Sequence, residues 1–103
     1  MSHVVAVRAT VAAVLLLTAV TARAGVRGEQ IFGQKCTMCH VVRGKGGSIG
    51  PELTKVSSRL GIDEIRAQLE TPKKKNSSSA MPAFKTLPKA EMDALLEYLK
   101  TLK

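Results

Sequence analysis

Cys36 and Cys39 stand three residues apart and His40 follows at once, in the run Cys36-Thr37-Met38-Cys39-His40. Thiols at that spacing project from nearly the same face of a helical turn, where each can add to a vinyl group and form a thioether. An imidazole just beyond them lies under a porphyrin centre and can ligate its iron from one side. The run reads as the attachment site of one covalently bound haem c. Zinc binding, dithiol redox chemistry and a plain disulfide also use paired cysteines. Zinc takes four ligands as a rule, and the only histidine outside the run is His3, in a segment expected to be removed. A dithiol site belongs beside alternating strands and helices, and no strand pattern occurs.

A second chemical candidate is Met81, in the short apolar island Ala80-Met81-Pro82-Ala83-Phe84. A thioether sulfur is a soft, uncharged donor that suits haem iron. Met38 lies inside the attachment turn, Met92 on an apolar helical stripe and Met1 in the leader, which leaves Met81 as the methionine free to be the sixth ligand. A core-packing role is the competing reading. Pro51 reads, on its own, as an ordinary loop proline. The sharper alternative is that its carbonyl accepts the Nδ1 proton of His40, which would fix the ring and raise its basicity.

Elements must hold these groups in place. Residues 28–40 have a helical pattern, with Phe32, Cys36 and Cys39 on one face and Ile31 beside Phe32. Gly28 is either a helix-start residue or a point of close backbone approach. Residues 41–50, with four glycines, form a loop. Leu53 and Val56 can supply apolar contacts, but residues 54–59 carry no firm helix signal. Residues 62–71 predict a helix, with Ile62, Ile65 and Leu69 on one side and Asp63 and Glu64 in its first turn; Pro72 stops it. Lys73-Lys74-Lys75-Asn76-Ser77-Ser78-Ser79 predicts a solvated loop, its lysines either a plain solvated face or a docking patch for an acidic partner. The last helix spans about Pro88 to Leu102, with Pro88 in the first helical position and Met92, Leu95, Leu96, Leu99 and Leu102 in one stripe. It is expected to cross the first helix near Tyr98.

The chain has 103 residues and begins with a targeting pattern: Arg8, an apolar or small run from Ala9 to Val20, then Ala22-Arg23-Ala24. Residues 1–24 are expected to be a cleavable signal peptide and residues 25–103 one domain. The apolar run is short of the ~20 residues that span a bilayer; an uncleaved anchor is the alternative. Export would place the domain in the oxidising periplasm, where haem attachment accounts for both thiols. A small chain with 3% aromatic residues builds only a thin core, which a buried porphyrin would complete.

The chain resembles a class I c-type cytochrome from Gly28 to its C-terminus. Gly28 and Phe32 before C-x-x-C-H, Gly50-Pro51-Glu52-Leu53, and Met81-Pro82 carry the resemblance. It implies an all-α, small cytochrome c fold whose N- and C-terminal helices pack across each other around one covalently bound haem. It further implies that Gly28 and Phe32 contact the last helix, that the Pro51 carbonyl accepts from His40, and that Met81 is the axial methionine. His40 and Met81 are only 41 positions apart, as in compact bacterial members. There is no tryptophan to sit near a propionate, which leaves Arg59 and nearby backbone groups as candidates for that job.

Iron closed on both sides by protein favours one-electron transfer over catalysis, and no small-molecule substrate is expected. Sulfur ligation and burial raise the potential relative to bis-histidine haems. Residues 25–103 keep 14 basic and 8 acidic side chains, a formal +6, because Arg8 and Arg23 fall in the leader. That charge, with Lys35, Arg43, Lys45 and the lysine loop, suits acidic redox proteins or membrane respiratory complexes as partners of a monomer. Nucleic acid is a poor partner for an exported chain without an aromatic stacking platform. The rival classes are a haem enzyme or gas sensor with an open sixth site, and an electron-delivering subunit of a larger complex.

Overall fold

The computed structural model describes residues 23–103, so the expected leader lies outside it except for Arg23 and Ala24. Four helices carry the fold: α1 at 23–35, α2 at Val56–Arg59, α3 at Ile62–Glu70 and α4 at Lys89–Lys100. Among the described residues there is no β-strand, and none of their helices is long and apolar enough to cross a membrane.

α4 forms because its apolar residues recur at helical spacing. Met92, Leu95, Leu96 and Leu99 are all buried, as are Ala94, Tyr98 and the following Leu102. Leu95 and Leu102 share complete burial with Ile31 of α1, and burying a side chain of that size contributes about 1.5–3 kcal/mol. Pro88 is the residue before the helix, with ψ 143, and not its first turn as the sequence suggested; its carbonyl accepts from Met92 N. Extended geometry there lets the proline end the preceding loop without costing the helix a donor.

α1 crosses α4 at Gly28. A Cβ on Gly28 would run into the Ala94 carbonyl and lie 2.8 Å from Cβ of Tyr98, so only glycine lets the two backbones meet. One turn on, the Phe32 and Tyr98 rings have centroids 5.4 Å apart at 54°, the tilted pairing that aromatic quadrupoles favour. Arg27 and Glu91 add an exposed ion pair at 2.6 Å that orients the crossing more than it holds it.

The sequence left residues 54–59 without a helix signal, yet α2 forms a single turn there. Its reason is tertiary: Val56 is buried, and Ser57 covers the open end of α4, with N donating to Leu102 O at 2.8 Å and Oγ donating to Leu99 O at 2.7 Å. α3 follows with Ile65 and Leu69 buried, and it ends at Glu70, where Thr71 Oγ1 bonds back to Ala67 O. Pro72 then opens a 3₁₀ turn, Pro72–Lys74, so two of the lysines expected in a plain loop ride on a short helical turn, still exposed. Asp93 of α4 takes Lys89 Nζ at 2.7 Å and Arg66 of α3 at 3.3 Å; the Lys89 bond, with Arg66 behind it, holds the Asp93 carboxyl below its ordinary range.

Candidate haem site

The regular part of α1 stops at residue 35, five residues short of the helix the sequence predicted. Thr37 explains the break. Its hydroxyl donates to Gly33 O at 2.6 Å and its N–H shares Phe32 O with Cys36 N, so the carbonyls that would continue the ladder are already used. The chain turns instead: Cys39 N and His40 N both donate to Cys36 O, at 3.2 and 3.0 Å. Cys36 is buried on the core side and Cys39 half-buried, and the two are not joined. Burial pushes the Cys36 thiol up to about 11, against the pull of Lys35. A thiol so held is protonated at neutral pH, the opposite of what a catalytic dithiol needs. Among the described residues no group of three or more His, Cys, Asp or Glu side chains is assembled to hold a metal such as zinc.

His40 is 9% exposed, so its ring nitrogens need partners. Nδ1 lies 2.7 Å from the carbonyl oxygen of Pro51. A carbonyl can only accept, so Nδ1 carries the proton and Nε2 keeps its lone pair for a metal. The glycine loop exists to make this contact. Arg43 (φ 50) and Gly44 (φ 78) form a tight turn closed by the Val42–Lys45 pair, and the chain then runs back along the attachment turn, with Gly47 N on Thr37 O and Gly50 N on Cys39 O. A Cβ on Gly50 would lie 2.5 Å from His40 Cε1, so the ring occupies the space a side chain would take.

Met81 is half-buried against the core and follows an exposed loop. Its N–H donates to Ser79 Oγ at 3.3 Å, and Phe84 N donates to Leu69 O at 2.8 Å, which fastens the segment to the end of α3. Its sulfur receives the Gln68 amide N–H at 3.9 Å. A recess of about 640 Å³ bordered by Pro72, Lys73, Lys74, Met81 and Lys85 opens beside this segment, and His40 is not among its lining residues. Arg59, the candidate for a propionate, is exposed and donates to Glu52 O at 3.3 Å, next to Pro51.

The family model for cytochrome c matches residues 25–103. The chain belongs to the cytochrome c family. Members bind haem and transfer electrons, and the small all-helical fold described above is that of the family. One curated relative, cytochrome c oxidase subunit 2 of Alkalihalophilus pseudofirmus, is 30% identical over 86 residues, covering 75% of this chain and 25% of the relative. The chain thus spans about a quarter of that relative's length.

The thiols of Cys36 and Cys39 on one turn, with a His40 imidazole whose Nδ1 is held by Pro51, are a donor set that fits a haem in this cytochrome c chain, while Met81 lies half-buried on a separate segment. Sequence reasoning brought forward Cys36, Cys39, His40, Pro51 and Met81. It missed Gly50 as the seat of the His40 ring and Gln68 as the partner of Met81. The glycine density between 41 and 50 was a usable signal for the first; a lone glutamine beside an apolar stripe gave none for the second.

Proposed function

We propose that this chain is a one-electron carrier holding one covalently attached haem c, with His40 and Met81 as its axial ligands. The observation that carries the reading is the 2.7 Å bond from His40 Nδ1 to Pro51 O, which commits one ring nitrogen to the protein and leaves the other for iron. Bound there, haem supplies a one-electron couple at its iron. Cys36 and Cys39 would attach it covalently to the turn after α1. Gly50 and Pro51 set the plane of the His40 ring. Ser79 and the end of α3 would hold Met81 as the second donor to iron; with both donors supplied by protein no site would be left for a substrate, and the chain would act as a carrier and not as an enzyme.

The leader expected over residues 1–24 would deliver the domain to the periplasm, and the family match beginning at Gly25 supports a boundary there. Lys35, Arg43, Lys45 and the lysines at 73–75 are exposed, which supports electrostatic recognition of acidic redox proteins by a monomer, weakening as salt rises. A second reading is a subunit that delivers electrons within a larger oxidase, favoured by the likeness to cytochrome c oxidase subunit 2.

Potentiometric titration of the haem-loaded chain tests the ligand set. A reversible one-electron wave that drops in potential in Met81→His supports it, since sulfur ligation raises the potential relative to bis-histidine. A wave indifferent to that substitution contradicts it.

A further inference from the structure

Asn76 is the only asparagine in the chain, and the small residue Ser77 follows it. Both are exposed, in the loop between the Pro72–Lys74 turn and Met81. The loop folds back on the asparagine. Ser78 N donates to Asn76 Oδ1 at 3.1 Å, the side-chain turn that asparagine favours, and Ser79 N donates to the Asn76 backbone carbonyl at 3.1 Å. Among the described residues the N–H of Ser77, between those donors and Asn76, has no protein acceptor. Lys73, Lys74 and Lys75 come just before and are exposed, Lys75 within 3.7 Å of Glu64.

We propose that Asn76 is a site of spontaneous deamidation, through which the lysine loop gains a negative charge without an enzyme. Asparagine is among the thermolabile side chains. Ser77 N gives up its proton and attacks Asn76 Cγ; the new N–Cγ bond closes a succinimide ring, and the side-chain nitrogen leaves as ammonia. Water then opens the ring at either carbonyl, leaving aspartate or isoaspartate. No electrons are exchanged, and water is the only co-reactant. Both hydrogen bonds assist: the one on Oδ1 draws density from Cγ, and the one on the backbone carbonyl acidifies the N–H of the same peptide unit. Serine adds little bulk beside the attacking nitrogen, and the nearby lysine cations favour the negative charge that develops. Each product sets a carboxylate beside Lys73, Lys74 and Lys75, so the pull of this loop on an acidic partner weakens as the protein ages. Isoaspartate also lengthens the main chain ahead of Ser79, whose hydroxyl accepts from Met81 N. That last effect reaches the haem only on the reading of Met81 as a ligand; the modification itself does not rest on it.

The haem-loaded chain, Asn76→Gln and Ser77→Val, stored warm at mildly alkaline pH and sampled over weeks, make the test. Cation-exchange chromatography reads the charge, and peptide mass mapping reads the residue. Glutamine would have to close a larger ring, and the β-branched valine crowds the attacking nitrogen while keeping the asparagine. Both substitutions fall on exposed loop positions and leave the core intact. The wild-type chain is expected to yield a growing, earlier-eluting species whose residue-76 peptide has exchanged NH2 for OH, with ammonia released in equal amount and part of the product labelled by an isoaspartyl methyltransferase. Ser77→Val should form it several times more slowly, and Asn76→Gln not at all. A residue-76 peptide that keeps its mass in the folded chain overturns the proposal, whether or not the same chain deamidates when unfolded in guanidinium, since the turn would then protect Asn76. The same early-eluting species from Asn76→Gln overturns it too, by placing the new charge elsewhere. Neither result touches the ligand reading, which the visible spectrum of the fresh protein reports separately.

Discussion

His40 Nδ1 and the Pro51 carbonyl oxygen meet at 2.7 Å across eleven residues of chain, and Gly50 is what lets them. The ring lies where a Gly50 side chain would be, with Cε1 at 2.5 Å and Nδ1 at 2.9 Å from the Cβ position. In Gly50→Ala the ring must move or the loop must lift, and either loosens the Pro51 bond. The expected cost is about 1–3 kcal/mol of stability, as for other forced overpacking, with an altered visible spectrum of the haem-loaded chain. Thermal unfolding followed in the haem band checks both; a wild-type midpoint and spectrum would mean that the ring has room to spare.

Gly28 and Gly33 give a paired prediction on one helix. A side chain at Gly28 meets the Ala94 carbonyl and Tyr98 Cβ, whereas one at Gly33 meets nothing within 4 Å. Gly28→Ala should destabilise by about 1–3 kcal/mol by prising α1 from α4. Gly33→Ala should stabilise by about 0.5–1 kcal/mol through helix propensity alone. Urea unfolding of the two variants reads opposite signs if the crossing is as described, and the same sign if it is not.

Tyr98 predicts a loss of stability in alkali. Burial raises its phenol above the ordinary 10.0 and Glu29 adds to this, with Arg43 opposing. The folded state therefore holds the proton more tightly than the unfolded one. Its contribution is fully present below the unfolded value and is lost as pH rises from there through the folded value. Tyr98→Phe, which keeps the ring against Phe32, should flatten that part of the stability curve. Denaturant midpoints measured from neutral to strongly alkaline pH check this, and parallel curves for the two proteins would contradict it.

The parts of this fold legible in the sequence were those written in local spacing. The stripe from Met92 to Leu102 and the pair Ile65 and Leu69 repeat at helical intervals, and Cys36, Cys39 and His40 are a motif in themselves. What escaped depends on partners distant in the chain. Ser57 makes α2 a helix by capping α4 from 42 residues away. α1 stops early because the Thr37 hydroxyl takes Gly33 O, a side-chain competition that apolar periodicity does not register. The Gln68 contact with Met81 links α3 to a segment that follows a loop without apolar pattern, and only the folded backbone sets that distance. Pro51 shows the boundary well: composition left it an ordinary proline, the family resemblance gave its carbonyl a role, and the 2.7 Å contact supplies the geometry for that role.

Carbon monoxide binding to the reduced, haem-loaded chain at neutral pH is the most direct test of the central claim, that His40 and Met81 close the iron on both sides. An unchanged visible spectrum on exposure to the gas is expected for the wild-type chain, and a rapid spectral shift for Met81→Ala. Rapid binding by the well-folded wild-type chain would contradict it: the sixth position would be open, sensing or catalysis would replace electron carriage, and Met81 would be a packing residue.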